Sequence, residues 1–263
     1  MGVNWMLSGK TETLIVIPAR ERSSRLPGKP LKKIAGKAMI KRVYDRCLET
    51  GLHTVVATDS DAIKEYCEEN NVSYVMTSSD CLTGTDRVAE VAELKPEYSG
   101  YINVQGDEPF VQVSDILAIE KELRVGDRRE AVCGMCRIID SMQYYSPHTC
   151  KVIFDSDRKD SGLMRYVSRS PIPAVKPGCD PPEVAWKQVS IFGFRKHHLE
   201  LFRGPALRRK EKTLIEWYED IEVLRFLELN VPVRMMKLEG SLMAVDTEKD
   251  LREANELWEK HGY

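Results

Sequence analysis

Residues 14–31 read LIVIPARERSSRLPGKPL, a short apolar run that ends abruptly in a basic loop. The run from Leu14 to Ala19 has no polar residue, which is typical of a central parallel strand covered on both faces. Ligands of open parallel sheets gather at the carboxyl ends of the strands. We therefore expect the loop from Arg20 to Leu31 to lie at a binding site.

The rest of the first half alternates between helical spacing and short apolar runs. Predicted helices are Met39–Glu49, Asp61–Glu69 with Asp61 as its N-cap, Asp86–Leu94 and Val113–Arg124. Predicted strands are Thr54–Thr58, Val72–Met76 and Tyr101–Gln105. Repeated β-then-α units predict an α/β fold with a doubly wound, mostly parallel, Rossmann-like sheet and right-handed crossovers.

The second half changes character, because three apparent strands follow without a helix between each pair. The predicted elements are strands Ala131–Ile139, Lys151–Asp155 and Gln188–Arg195, a proline-rich surface loop Ser170–Glu183, helix Thr213–Leu229, strand Val231–Lys237 and helix Thr247–Lys260. We interpret residues 1–263 as one domain in which residues 131–240 contribute a smaller mixed α/β lobe.

Composition excludes several classes of protein. A chain of 263 residues that is 42% hydrophobic can bury a sizeable core. Its net charge of -2, from 39 basic and 41 acidic residues, gives no reason to expect nucleic acid or an anionic membrane as partner. No apolar run approaches the roughly 18 residues of a membrane span, and the first residues lack the apolar core of a secretory signal. We expect a cytoplasmic protein.

The 7 cysteines are an odd number scattered along the chain, which favours reduced thiols over a disulfide framework. Cys133 and Cys136 form a CxxC pair, but the residues around them alternate like a buried strand. We interpret the pair as structural rather than as a zinc or redox site.

The loop after the first strand carries three Arg, one Lys, two Ser and one Gly within residues 20–29. Guanidinium forks, an ammonium and backbone N–H groups are what a triphosphate requires. The GxxxxGK[ST] spacing of a Walker A loop is absent. We predict that a nucleoside triphosphate is bound by Pro18, Ala19, Arg20, Ser24, Arg25 and Lys29; the alternative is a solvated basic loop.

A second polar segment, Gln105-Gly106-Asp107-Glu108-Pro109, follows another apolar strand. A carboxylate at a strand tip beside a triphosphate is the usual anchor for Mg²⁺. We predict Asp107 as the metal ligand, against an ordinary acidic turn. Asp246, before the last helix, is that helix's N-cap or a second ligand, and a capping Asp at this position could serve as both.

Two further segments add binding groups. Arg87 stands at a helix start, and Ala57-Thr58-Asp59 ends the second strand, where a base or ribose would fit; purely structural roles suit these two segments equally well. No Ser/His/Asp or Cys/His arrangement is present in the sequence, so covalent catalysis is not indicated.

An ordered set of motifs resembles the 3-deoxy-manno-octulosonate (Kdo) cytidylyltransferase family, the CMP-Kdo synthetases. The resemblance spans residues 14 to about 255 and rests on Ile17-Pro18-Ala19-Arg20, Ser24 to Leu31, Gly36-Lys37, Met39-Ile40, Val56 to Asp59, Met76-Thr77, Gly84 to Arg87, Asn103 to Pro109, Lys151-Val152, Ser168 to Pro173 and Val245-Asp246-Thr247.

The resemblance implies a CTP-dependent reaction of lipopolysaccharide biosynthesis, in which an oxygen of an acid attacks the α-phosphorus and pyrophosphate leaves. By resemblance Arg20, Arg25 and Lys29 grip the triphosphate, with Asp107 taking part in catalysis. Asp107 and Asp246 would hold Mg²⁺, and Arg87, Gln105 and Arg169 would face the acid. It also implies a homodimer, with the aromatic-rich helix around Trp217 and Tyr218 as a candidate interface.

Departures from the family concentrate on the acceptor side. Gln188-Val189-Ser190-Ile191-Phe192 stands where a His-Leu-Gly-Ile-Tyr-like run is typical, so Gln188 and Phe192 would meet the acceptor without an imidazole or a phenol. Glu21, Cys81 and Val223 also differ, whereas Glu216, Glu219 and Glu222 keep the family's acidic spacing, with Glu216 expected at the substrate.

The acceptor is therefore open among Kdo, a modified Kdo, another keto-sugar acid and a phosphonate acid. A sugar-1-phosphate nucleotidyltransferase and a non-catalytic nucleotide-binding relative are the alternative functions.

Overall fold

The computed structural model describes residues 13–20 and 25–261, except for the side chains of residues 206–209 and 261. The strands are β1 (Thr13–Ala19), β2 (Lys33–Ile34), β3 (Lys37–Ala38), β4 (His53–Thr58), β5 (Tyr74–Met76), β6 (Gly100–Val104), β7 (Ala131–Arg137), β8 (Lys151–Arg158), β9 (Ser161–Ser168), β10 (Trp186–Arg195) and β11 (Val233–Lys237). The helices are α1 (Met39–Leu48), α2 (Asp61–Glu69), α3 (Gly84–Leu94), α4 (Val113–Val125), α5 (Ser141–Tyr145), α6 (Lys196–Arg209), α7 (Leu214–Glu219), α8 (Leu224–Glu228) and α9 (Glu248–His261). Within these ranges, no helix has the length and apolar character needed to cross a bilayer.

A nine-stranded sheet in the described residues has the order β5-β4-β1-β6-β10-β7-β11-β9-β8. Strands β5, β4, β1 and β6 are all parallel. Strand β10 joins them antiparallel to β6 and continues antiparallel to β7, which pairs in parallel with β11. The hairpin of β8 and β9 completes the sheet beside β11.

Both faces of this sheet are covered, so β1 is buried over its whole length. Ile15 and Ile17 pack in one cluster with apolar residues of α1, α2 and α4. Leu14 and Val16 point the other way, into a cluster with residues of α3, α6 and α8. This alternation explains the uninterrupted apolar run of β1, and it confirms the predicted doubly wound α/β architecture.

The strands predicted after residue 130 extend the same sheet with mixed directions. Strand β9 was missing from the prediction, and the short helix α5 lies between β7 and β8, where no helix was expected. The assignment of residues 131–240 to an acceptor-side lobe stays a prediction.

The helix predicted over Thr213–Leu229 is wrong, since the segment forms two short helices, α7 and α8. Asp220 has a left-handed backbone with φ of 50°, which ends α7. The carbonyl oxygens of Glu219 and Asp220 accept hydrogen bonds from the Arg169 guanidinium at 2.6 and 3.0 Å instead of continuing the helix. At α2, the N-cap is Ser60 rather than the predicted Asp61, because the Ser60 side chain accepts the Ile63 N–H.

Candidate active site

A cleft of about 830 Å³ opens beyond the carboxyl ends of β1 and β6, a size typical of small-molecule sites. The structure brings most of the predicted site residues to it. Those that line the cleft are Pro18, Ala19, Arg20, Arg25, Lys29, Arg87, Gln105, Asp107, Arg169, Gln188, Phe192 and Asp246. Ser24 lies outside the described residues.

The turn before Lys29 is fixed by its sequence. The Lys29 N–H donates to the Leu26 carbonyl at 3.1 Å, and Gly28, third in this four-residue turn, has the positive φ of 65° that favours glycine. Leu26 and Pro30 are buried on either side, Leu26 among Ile34, Met39 and Phe110. These anchors hold the Lys29 side chain at the cleft.

Lys29 joins two carboxylates that come from distant parts of the chain. Its ammonium donates to Asp107 Oδ2 at 2.6 Å and to Asp246 Oδ1 at 2.9 Å. Arg25 also reaches Asp246, at 3.0 Å. Burial opposes the charged form of Lys29, but the attraction and hydrogen bonds of Asp107, and then of Asp246, raise its pKa above the usual value. The ammonium therefore stays charged throughout the neutral range.

The backbone holds Asp107 in place from two sides. The Val245 N–H donates to the Asp107 carbonyl at 2.9 Å, which ties the segment before Asp246 to the tip of β6. A Cβ on Gly106 would lie 3.0 Å from the Pro18 carbonyl oxygen, so glycine permits the close approach of this turn to β1.

Glu108 belongs to the same cleft and was not predicted as a site residue. Burial, followed by the charge of Asp107, raises the pKa of Glu108 to about 7. One of its carboxylate oxygens is buried without a hydrogen-bond partner among the described residues. Its position after Asp107 was the available signal, since a pair of carboxylates follows β6.

The hydrogen bonds at the start of α9 decide between the two roles predicted for Asp246. Thr247 and Asp250 cap this helix: the Thr247 N–H donates to Asp250 Oδ2 at 2.8 Å, and the Asp250 N–H donates to Thr247 Oγ1 at 3.2 Å. The Asp246 carboxylate takes no part in the cap and turns to Lys29 and Arg25. The N-cap interpretation of Asp246 is therefore wrong.

We expect Thr247→Ala to lower the free energy of unfolding by about 1 kcal/mol, because it removes the cap. Asp246→Asn should change stability by no more than about 0.5 kcal/mol and act on turnover instead, because its carboxylate lies in the cleft. Urea denaturation followed by circular dichroism measures both. If the two substitutions lowered the free energy of unfolding equally, Asp246 would have to contribute to the cap.

The segment predicted for a base or ribose does not line the cleft. Ala57 and Thr58 are fully buried at the end of β4. Asp59 pairs with Arg87 at 3.3 Å, and Arg87 also donates to Thr77 Oγ1. Arg87, which is itself almost fully buried, thus stands between this segment and the cleft. The geometry favours the structural alternative for Ala57, Thr58 and Asp59.

Arg169 lines the far side of the cleft, where its guanidinium is held by backbone oxygens. It donates to the carbonyls of Glu219 at 2.6 Å, Asp220 at 3.0 Å and Pro147 at 3.2 Å. The fully buried Lys151, the first residue of β8, donates to the Arg169 carbonyl. Arg169 therefore contributes a fixed positive charge to this wall.

Gln188 and Phe192 enter the cleft from β10, on either side of a register shift in that strand. The Gln188 Oε1 is buried and has no hydrogen-bond partner among the described residues. Phe192 is buried, with its ring nearly parallel to that of Phe194 at 6.1 Å. This part of the wall is less polar than an imidazole and a phenol would make it.

Glu216 is not at the cleft, which corrects its predicted role in substrate binding. It is fully buried and receives the Arg225 guanidinium at 2.7 and 2.8 Å. The member of the acidic series that lines the cleft is Glu222, accompanied by Asp220 and Ile221. Asp220 ends α7 between Glu216 and Glu222, so these two glutamates do not lie on one continuous helix as the sequence predicted.

The CxxC pair lies on β7 as predicted, with Cys133 and Cys136 both buried. Burial raises the pKa of the Cys133 thiol. In the described part of the chain, no group of three His, Cys, Asp or Glu side chains has the arrangement of a metal site. Cys133 and Cys136 each pack in an apolar cluster of the core.

Asp107 and Asp246 supply two carboxylates. Two are too few for a metal whose ligands all come from the protein, but they suit Mg²⁺. Mg²⁺ usually takes one or two carboxylates and completes its coordination with phosphate oxygens and waters. Asp107 and Asp246 meet at a single point, the Lys29 ammonium, so both reach one small cation in the cleft. The donor set therefore fits a Mg²⁺ bound together with a triphosphate.

Comparison with known proteins assigns this chain to a family. The family model described as cytidylyltransferase matches residues 14–236. The 3-deoxy-manno-octulosonate cytidylyltransferase of Myxococcus xanthus is 36% identical over 253 residues, which are 95% of this chain and 98% of that protein. The Escherichia coli protein of the same name is 34% identical over 249 residues, 94% of this chain and 96% of its own.

Among solved structures, a CMP:2-keto-3-deoxy-manno-octonic acid synthetase complexed with CTP superposes with a TM-score of 0.82 at 32% identity. The match covers 95% of this chain and 99% of that chain. A 4-diphosphocytidyl-2C-methyl-D-erythritol synthase from Anaerococcus prevotii, at 18% identity and a TM-score of 0.62, shares the fold. The architecture is therefore that of the nucleotidyltransferases.

Proposed function

This chain belongs to the cytidylyltransferase family, and from that membership we propose that it transfers CMP from CTP to Kdo or a closely related keto-sugar acid, with release of pyrophosphate. One observation carries the proposal: Lys29, Asp107 and Asp246 converge in a cleft that Arg20 and Arg25 also line. The CTP complex of the structural relative supports CTP as the donor. Lipopolysaccharide biosynthesis and a cytoplasmic location follow from the same proposal.

The basic groups of the cleft have a direct part in this chemistry. The acceptor oxygen attacks the α-phosphorus, the bond to the pyrophosphate oxygen breaks, and negative charge builds on the leaving pyrophosphate. Arg20, Arg25 and Lys29 bind the triphosphate and stabilise that charge. Asp107 and Asp246 would hold Mg²⁺, which when bound supplies further positive charge to the phosphoryl oxygens.

The acceptor is proposed to lie against the wall formed by Arg87, Gln105 and Arg169, with Gln188 and Phe192 beyond them. Fixed cations suit the carboxylate of a keto-sugar acid. The second candidate is an acceptor that differs from Kdo in its polar groups: a modified Kdo, another keto-sugar acid or a phosphonate acid. It is favoured by the apolar Phe192 and by the Gln188 oxygen, which has no hydrogen-bond partner among the described residues.

A mass-spectrometric acceptor screen with CTP and Mg²⁺ tests the proposal. Kdo, sialic-type acids and phosphonates are supplied singly, and we expect one CMP conjugate to form together with pyrophosphate. Reactions lacking the acid or Mg²⁺ are the controls and should give neither product. Absence of a CMP conjugate with every acid, while calorimetry still detects CTP binding, would favour a non-catalytic relative.

We also propose that the chain works as a homodimer. Exposed apolar side chains mark candidate contact surfaces, Ile139 and Met142 beside β7 and Trp217 and Tyr218 on α7. Light scattering at assay concentration should give twice the 30.1 kDa mass of the chain. A monomer mass in the active enzyme would contradict this.

A further inference from the structure

Arg225, on α8, is a fully buried arginine that holds two carboxylates from different elements. Its guanidinium binds Asp86 of α3 through two nitrogens, at 2.6 and 3.1 Å, and Glu216 of α7 through two nitrogens, at 2.7 and 2.8 Å. It also donates to the Phe202 carbonyl at 3.1 Å, and it lies 3.8 Å from the centre of the Phe202 ring. We call this group, Asp86, Arg225 and Glu216, the clamp.

A second link joins the same two segments. The Glu222 carboxylate accepts the N–H groups of Gly84 at 3.1 Å and Thr85 at 2.9 Å, as well as the Thr85 hydroxyl at 2.6 Å. These N–H groups belong to the first turn of α3, where a helix has no internal acceptor for them. A residue about 138 positions along the chain thus completes the start of α3.

Cleft residues stand on both sides of these links. Thr83, Gly84 and Arg87 belong to the start of α3, and Asp220, Ile221 and Glu222 belong to the segment between α7 and α8. A Cβ on Gly84 would lie 3.2 Å from both Gln105 Nε2 and Pro18 Cγ, so the start of α3 also packs tightly against the tips of β6 and β1. A shift of α3 would move the residues proposed to face the acceptor.

We infer that Arg225 is a positioning residue that, through the clamp and together with Glu222, sets the acceptor-side wall of the cleft. This rests on the proposed function, since it concerns the acceptor of that reaction. Arg225 is not among the cleft residues, so it acts through α3. A planar fork holding two carboxylates fixes their separation in a way that a point charge does not. A misplacement of 1 Å at reacting groups costs on the order of 10²-fold in rate. A clamp that holds α3 less firmly would therefore impair the contacts with the acceptor.

Arg225→Lys tests this, because lysine keeps the charge and loses the fork. We expect the KM for the acceptor acid to rise about tenfold, while the KM for CTP changes less than about twofold, because Lys29, Asp107 and Asp246 lie outside the clamp. Arg234→Lys is the matched control. Arg234 is equally buried and binds Glu130 and Asp157, none of which lines the cleft, so both of its KM values should stay within about twofold of wild type.

Asp86→Asn decides the matter if Arg225→Lys does not fold. It is isosteric and leaves Arg225 paired one-to-one with Glu216, so we expect a folded protein with the same selective rise in acceptor KM. Glu130→Gln is its control beside Arg234. Folded clamp variants whose acceptor and CTP constants change equally, or no more than those of the controls, would overturn the inference. Failure of the proposed function is distinct, since the wild-type protein would then yield no CMP conjugate at all.

Discussion

Asp107→Asn is expected to lower kcat for CMP transfer by about 10²–10³-fold, because it removes a carboxylate proposed to hold Mg²⁺ and the charge stabilisation that the ion supplies. The asparagine keeps the shape of the side chain, and the backbone bond from Val245 to residue 107 does not depend on the carboxylate. Pyrophosphate release at saturating CTP and acceptor measures the effect, and a Mg²⁺ titration should show weaker activation.

Asp45→Asn is the matched control for this substitution. Asp45 is also an aspartate bound by lysine, since it accepts from Lys37 and Lys41, but it lies on α1 away from the cleft. Its kcat should equal that of the wild type, and both variants should keep a native melting temperature. Full activity of Asp107→Asn, or an equal loss in Asp45→Asn, would refute the metal assignment.

The parts of the site that the sequence predicted are those carried by short segments next to buried strands. Lys29 and Asp107 were found because an apolar run stops just before each segment and because parallel strands bring their carboxyl ends together. Asp246 was predicted as a metal ligand only through the family resemblance, since its position before α9 also suits an N-cap. The backbone bond between Val245 and Asp107 is invisible in a linear sequence.

The parts that were missed depend on contacts between distant segments. Glu222 and Arg225 reach α3 over sequence separations of 137 to 139 residues, and no local pattern reports such a pairing. The sequence also gives no sign that Asp220 adopts a left-handed conformation, because the apolar spacing of α7 and α8 is that of one continuous helix. Asp59, which was predicted to lie near a base or ribose, pairs with Arg87, and the sequence gives no sign of that pairing either.

Lys29→Met is expected to lower kcat/KM for CTP by about 10²–10⁴-fold, since its ammonium makes two charge-assisted hydrogen bonds and each is expected to contribute about 1.5–3 kcal/mol. Lys29 is only 15% exposed and holds both carboxylates, so its ammonium has one place to lie and a triphosphate in the cleft comes within its reach. Arg25 is 56% exposed, and among the described residues its one ion pair is with Asp246, so Arg25→Met should cost only about tenfold.

Lys32→Met separates the loss of a specific ammonium from the loss of one positive charge. Lys32 is three residues further along, pairs with Glu248 at 3.3 Å on the surface and does not line the cleft. Its kcat/KM should match the wild type. Initial rates over a range of CTP concentrations decide between the three variants. If Lys29→Met and Lys32→Met lost activity equally, the basic segment that contains both lysines would act through its overall charge. The convergence of Lys29 on Asp107 and Asp246 would then have no role in binding the nucleotide.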